Sequence, residues 1–428
     1  MHKDHFIIHG PTPLHGTVPI SGAKNAVLVE LAALLLPNGV STLTNVPLIS
    51  DVYGMINLLK SFGALVHIDE IKHTVTVDAR GVNAAVPPFE ILRSFRASIL
   101  TTGAMLSRCG CAYIEAPGGC PIGARPINLH REAFNKLGAR FIEQEAFTQV
   151  IADKKLIGDM IVFDYPSVGS TENALLAAVC AQGTTTIINA AIEPEIIDLI
   201  NFLISMGCKI TTQTPASIII EGVDQKTLRG ISHQVIGDRL ECGTWLFAAA
   251  MTQGSIITTN APTQHMHVVL YELEKMGHDI KVDHATQTIR ITSQKNYTST
   301  SVKTMPHPGF PTDLQSPLLA VLTQAQGNGS ICETVFENRF LAAPELVKMG
   351  AQITVQGSSV LVTGIEKLHG SEVEAKDIRA GAALAIAAMS AEGTTVLTGI
   401  QHIDRGYENF VQKATALGAR IKRVVQNS

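Results

Sequence analysis

The feature that most constrains this chain is a unit that recurs six times along it. Each copy has a helical run rich in Ala and Leu, then a glycine opening a β-branched strand. A second helical run follows, ending in a hydrophobic-glycine step and a further strand. The strand openings fall at Asn38, Cys109, Gln182, Gln253, Asn328 and Glu392, and the helix-ending glycines at Gly63, Gly138, Gly207, Gly277, Gly350 and Gly418. The period is about seventy residues, longer than a solenoid repeat, so each copy is a small α/β module. A glycine after the last helical hydrophobic residue is the expected left-handed cap.

The first helix of each copy, such as 173–180 or 380–389, is apolar nearly all round and built of small residues. Such a helix has to be buried. The sheets are therefore expected outside the helices, three modules around each of two bundles. At 46% hydrophobic and 16% charged, 428 residues can fill cores of that size. No apolar run is long enough to cross a bilayer, and a net charge of −4 argues against a surface that coats nucleic acid. Seven cysteines without scaffold spacing fit a reducing cytoplasm. Cys109 and Cys111 have no second Cys/His pair, and the fifteen histidines lack zinc-enzyme spacing, so no metal is expected. His130 and His307 are expected to be structural.

Polar residues gather where the buried helices begin: Lys24-Asn25, Arg93 to Arg96, Ser167 to Thr171, Asp238-Arg239, Thr312-Asp313 and Asp377 to Arg379. Some suit N-caps, with Ser21, Ser94, Ser170 and Ser316 the candidates. Cations at a helix N-terminus oppose the macrodipole and suggest a bound anion. Asp313 follows a proline-rich approach and could be a general base or a cap. Arg339 and Arg405 follow strands in corresponding places of the last two copies.

The segment from Ala116 to Pro126 places Cys120 and Arg125 on a loop of three glycines and three prolines. A free cysteine is more often a small buried hydrophobe. Arg125 weighs the other way, since a guanidinium can stabilise a thiolate or hold an anionic substrate. No Walker or Rossmann glycine pattern is present.

Taken together, Ser21 to Ala26, Arg96 to Ile99, the Pro-Gly-Gly-Cys loop, Pro166 to Asn173, Glu193 to Ile196, Phe310 to Asp313, Glu337 to Phe340 and His402 to Glu408 carry a resemblance. Over essentially its whole length the chain resembles the UDP-N-acetylglucosamine 1-carboxyvinyltransferases, enolpyruvyl transferases of peptidoglycan precursor synthesis and targets of fosfomycin. The resemblance implies two inside-out α/β barrel domains of three βαβαββ-like repeats, one of 22–234 and one of 1–21 plus 235–428, with the active site in the cleft between them. It implies phosphoenolpyruvate and UDP-N-acetylglucosamine as substrates, a cytoplasmic location, and no metal, organic cofactor, nucleic acid or membrane partner. Cys120 would be proton donor and Asp313 the base, with Lys24 and Arg405 completing the catalytic set. Lys24, Asn25, Arg125 and Arg405 would hold phosphoenolpyruvate. Asn25, Arg96, Arg125, Pro126, Ile127, Asn128, Leu129, Ser167, Val168, Gly169, Asp313 and Val335 would contact the nucleotide sugar. Arg339, Arg379 and Glu193 would complete the charged surroundings. The shikimate-pathway enolpyruvyl transferase, which lacks the cysteine loop, and a catalytically silent nucleotide-sugar-binding regulator are the rival readings.

Overall fold

The buried and outer helices alternate along the chain as the repeat requires. The computed structural model describes residues 4–88, 90–91, 96–115, 127–144 and 147–425. Among the described residues the helices are α1 (Lys24–Ala33), α2 (Ser50–Ser61), α3 (Thr101–Cys109), α4 (Asn128–Lys136), α5 (Val168–Ala178), α6 (Pro194–Met206), α7 (Arg239–Met251), α8 (His267–Lys275), α9 (Gln315–Leu322), α10 (Ala343–Lys348), α11 (Ile378–Ser390) and α12 (Phe410–Ala416). Nearly every described side chain in α1, α5, α7, α9 and α11 is buried. All six helix-ending glycines take positive φ, between 91° and 112°, which closes the second helix of each module and turns the chain into its next strand.

The module is clearest at Met160–Glu221. An edge strand Met160–Val162 leads to α5, then to strand Thr184–Ile188, then to α6 and the hairpin Lys209–Gln213 and Ser217–Glu221. Thr184–Ile188 pairs parallel with the edge strand and antiparallel with Ser217–Glu221. Among the described residues six sheets form, five of four strands and one of three.

The chain divides into two compact units, one of residues 4–21 with 237–425 and one of the described residues between 22 and 236. Each has three sheets and a single apolar core. In the first unit α7, α9 and α11 pack on one another; in the second, α3 packs on both α1 and α5. The N-terminal strands belong to the first unit. His5–Gly10 lies between Gly393–Thr398 and Arg420–Val424, and His15–Pro19 pairs parallel with Ser255–Thr259. The second unit is closed by Ser232–Gln234, which supplies the edge strand to the sheet of Val40–Thr44.

Three expected caps are placed differently. Ser21 does not cap α1: its hydroxyl donates to Glu408 Oε2 (2.8 Å) and accepts from Lys413 Nζ (2.7 Å), and its backbone N–H donates to Glu241 Oε2 (2.8 Å). Ser167, not Ser170, caps α5, accepting from the Ser170 backbone N–H at 3.4 Å and donating its own hydroxyl to Ser170 Oγ at 3.0 Å. Residues 312–314 coil into a 3-10 turn that runs straight into α9, so Ser316 falls inside the helix and donates to Gln315 Oε1. Ser94 lies outside the described residues.

Candidate active site

In the second unit the polar set starts at the head of α1. Lys24 is the first residue of that helix, and its ammonium meets Asp51 Oδ2 at 2.7 Å. Asp51 stands in the first turn of α2, where a carboxylate is favoured by the helix dipole. Both residues are buried, so this pair is far less screened than a surface ion pair. Asn25, next on α1, is half-buried. Asp51 was not singled out from the sequence, because nothing in its spacing links it to Lys24.

Ser167, Val168 and Gly169 form the half-buried start of α5. Asn173, one turn on, accepts from the Gly103 backbone N–H at 2.8 Å and lies 3.2 Å from His130 Nδ1. Burial pushes the His130 imidazole down to about 4, so it is neutral and can accept there. Glu172 on the same helix is held well above the usual carboxylate range, first by burial and then by the charges of Glu195 and Glu193. Glu193 is itself buried at the head of α6. Ile127 and Leu129 are half-buried at the start of α4, with Asn128 exposed between them. Arg96 opens the 3-10 turn Arg96–Leu100. Cys120, Arg125 and Pro126 lie outside the described residues.

In the first unit the polar set surrounds Asp313. Its carboxylate accepts from Arg339 Nη2 on Oδ1 (2.5 Å) and from Arg379 Nη2 (2.9 Å) and Nε (3.1 Å) on Oδ2. Both arginines are about 4% exposed in their side chains, against 25% for Asp313, so the carboxylate faces outward from two sunken guanidiniums. The Asp313 carboxylate is thus clamped by two arginines. Arg379 also donates to the Tyr407 hydroxyl (3.1 Å), which lies 2.9 Å from Thr244 Oγ1. Asp377 caps α11 through the backbone N–H groups of Arg379 and Ala380. Val335 is held by its N–H to Glu333 Oε1 (2.7 Å), and Glu333 also accepts from Thr304 and Thr312. Arg405 ends the 3-10 turn Ile400–Arg405 and is half-buried. Tyr407 and Thr244 were not singled out as site residues, although Tyr407 lies within the quoted His402 to Glu408 stretch.

Two of the cations at the helix starts have carboxylate partners within the protein: Asp51 for Lys24 and Asp313 for Arg379. Each unit by itself offers firmly held cationic donors, and the first unit a fixed carboxylate as well, groups that suit binding of anions and acid-base chemistry.

Residues 8–414 match the EPSP synthase (3-phosphoshikimate 1-carboxyvinyltransferase) family. The UDP-N-acetylglucosamine 1-carboxyvinyltransferase 1 of Caldanaerobacter subterraneus subsp. tengcongensis is 46% identical over 421 residues, covering 98% of this chain and 100% of that one. The chain belongs to the UDP-N-acetylglucosamine 1-carboxyvinyltransferases. A second member of these transferases, from Magnetococcus marinus, is 44% identical over 422 residues, 98% of this chain and 99% of its own. Among solved structures, the enolpyruvyl transferase NikO from Streptomyces tendae superposes with a TM-score of 0.90 at 25% identity, covering 99% of this chain and 100% of NikO. EPSP synthase from Acinetobacter baumannii gives 0.75 at 17% identity, with 99% of this chain and 100% of its own covered, a likeness of fold. The enolpyruvyl transferase fold expected for this chain is thus shared with both.

Proposed function

We propose that the protein transfers the enolpyruvyl group of phosphoenolpyruvate to the 3-hydroxyl of UDP-N-acetylglucosamine, releasing phosphate, as the first committed step of peptidoglycan precursor synthesis. The full-length identity of 44–46% to transferases of that name carries the reading. The shikimate-directed alternative rests on the family match over residues 8–414 and a likeness of fold at 17% identity, and is the weaker against 44–46% full-length identity.

In this reading Asp313 takes the proton of the sugar 3-hydroxyl, and the oxygen adds to C2 of phosphoenolpyruvate while C3 gains a proton from Cys120. The tetrahedral intermediate then loses a proton from C3, the C2–C3 double bond reforms, and the C2–O bond to phosphate breaks. Arg339 and Arg379 hold the Asp313 carboxylate so that one orientation is presented, and placing the base beforehand lowers the barrier. Lys24, Asn25, Arg125 and Arg405 hold the phosphate and carboxylate of phosphoenolpyruvate. Arg96, the 125–129 run, Ser167, Val168, Gly169 and Val335 contact the nucleotide sugar, with Glu193 in support. Cys120 is the residue that fosfomycin would alkylate. Both substrates and the free thiols fit work in the cytoplasm, and no helix among the described residues is long and apolar enough to cross a membrane. The chemistry is proton transfer and electrostatics, with no metal or organic cofactor in it.

Proton and phosphorus NMR of the reaction mixture tests the reading. Two vinyl proton signals on a product that retains the UDP resonances, with inorganic phosphate in equal amount, is the expected result. Phosphate without a vinyl product would indicate hydrolysis and overturn it.

A further inference from the structure

A second group of chemistry-bearing side chains lies within the second unit and takes no part in the proposed reaction. Glu30 from α1, Asp198 from α6 and His233 from strand Ser232–Gln234 each offer one ligand atom, and these atoms lie within 4.8 Å of one another. His233 Nε2 is 3.2 Å from Asp198 Oδ1 and 3.6 Å from Glu30 Oε1. Ligands bound to zinc at about 2.0 Å in a tetrahedron stand about 3.3 Å apart, so both spacings are close to those of a coordination shell.

The state of Glu30 is the second observation. It is 0% exposed, and among the described residues neither of its carboxylate oxygens has a partner in hydrogen-bond geometry; His233 Nε2, 3.6 Å away, is paired with Asp198 Oδ1. A buried carboxylate with neither oxygen satisfied is costly, and it is aimed at two other ligand atoms. The other parts are in place. Asp198 Oδ2 accepts from the Ile236 backbone N–H at 3.3 Å, which leaves Oδ1 turned to the cluster. Phe202 packs edge-on against the imidazole at 5.1 Å between centroids and fixes its plane. The His233 side chain is 17% exposed, while its Nε2 lies out of water with the Glu30 oxygens.

We infer that Glu30, Asp198 and His233 bind a divalent transition-metal ion of the zinc class, which ties α1 to α6 and to the strand that closes the second unit. The role is structural: the ion anchors the helix whose first residue is Lys24 and leaves the transfer chemistry metal-free. Carboxylate, carboxylate and imidazole suit Zn²⁺ or Co²⁺.

The test uses the full chain, stripped with chelator and titrated with Co²⁺, reading visible absorption and calorimetry. One equivalent is expected to bind with the intense visible bands of tetrahedral cobalt and without thiolate charge-transfer absorption. His233→Gln, with its fold checked by circular dichroism, is expected to weaken binding at least tenfold, and Cys109→Ser/Cys111→Ser to leave it unchanged. Glu30→Gln is a second variant should the first not fold. Absence of one-equivalent binding in the wild-type chain, thiolate bands, or affinity unchanged in folded His233→Gln or Glu30→Gln would each overturn the site.

Discussion

Arg379 donates from both Nε and Nη2 to a single oxygen of Asp313, at 3.1 and 2.9 Å, from a position almost entirely out of water. Only a guanidinium can deliver two such parallel donors. Arg379→Lys should therefore not rescue what Arg379→Gln loses. Both are expected to lower kcat at least tenfold with a smaller change in KM, measured by steady-state phosphate release. A lysine variant as fast as wild type would show that charge alone suffices.

Lys24 and Asp51 should be energetically coupled. For residues in direct contact the coupling is roughly 0.5–3 kcal/mol. A double-mutant cycle of Lys24→Met and Asp51→Asn, followed by urea unfolding, is expected to give a value in that range. Additive effects would mean the 2.7 Å pair contributes nothing to stability.

The two aspartate caps give a simpler expectation. Asp238 accepts from Leu240 and Glu241, and Asp377 from Arg379 and Ala380, in each case through Oδ1. Replacement of either by Ala should cost about 1 kcal/mol of unfolding free energy. Asp377→Ala should in addition reduce kcat, because it loosens the turn that carries Arg379. Asp238→Ala should affect stability more than rate.

Acid stability should depend on two histidines, His278, which is buried, and His130, which is half-buried. Burial holds His278 in the first unit and His130 in the second at about 4, below the ordinary 6.5. Between those values the unfolded chain binds more protons than the folded one, so stability is fully present above about pH 6.5 and falls as pH drops toward 4. Each proton contributes up to about 1.4 kcal/mol per pH unit. His278→Gln should flatten the pH dependence of urea midpoints in that window, whatever its effect at pH 7.

The fold was legible because its signals are local and repeated. A glycine that must take positive φ and a helix apolar on every side each recur about every seventy residues, and both were found where the pattern put them. The polar starts of the buried helices could be read for the same reason. The partners of those residues could not. Asp51 reaches Lys24 from the next helix, Arg339 reaches Asp313 from beyond the next strand of the same module, and Arg379 reaches it from the following module, so no spacing along the chain reports them. The Glu30, Asp198 and His233 group is the extreme case, brought together from three distant segments and invisible to any search for short ligand spacing. Ser21 reads as a cap by residue type, yet its hydroxyl bonds to Glu408 and Lys413, on elements nearly four hundred residues away.

The most direct test of the account is phosphate release from phosphoenolpyruvate with UDP-N-acetylglucosamine or shikimate 3-phosphate as acceptor, in wild type, Cys120→Ala and Asp313→Asn. The account predicts release with the nucleotide sugar alone and a loss of about 10²-fold or more in each variant. Turnover of shikimate 3-phosphate, or no release with UDP-N-acetylglucosamine, would contradict it.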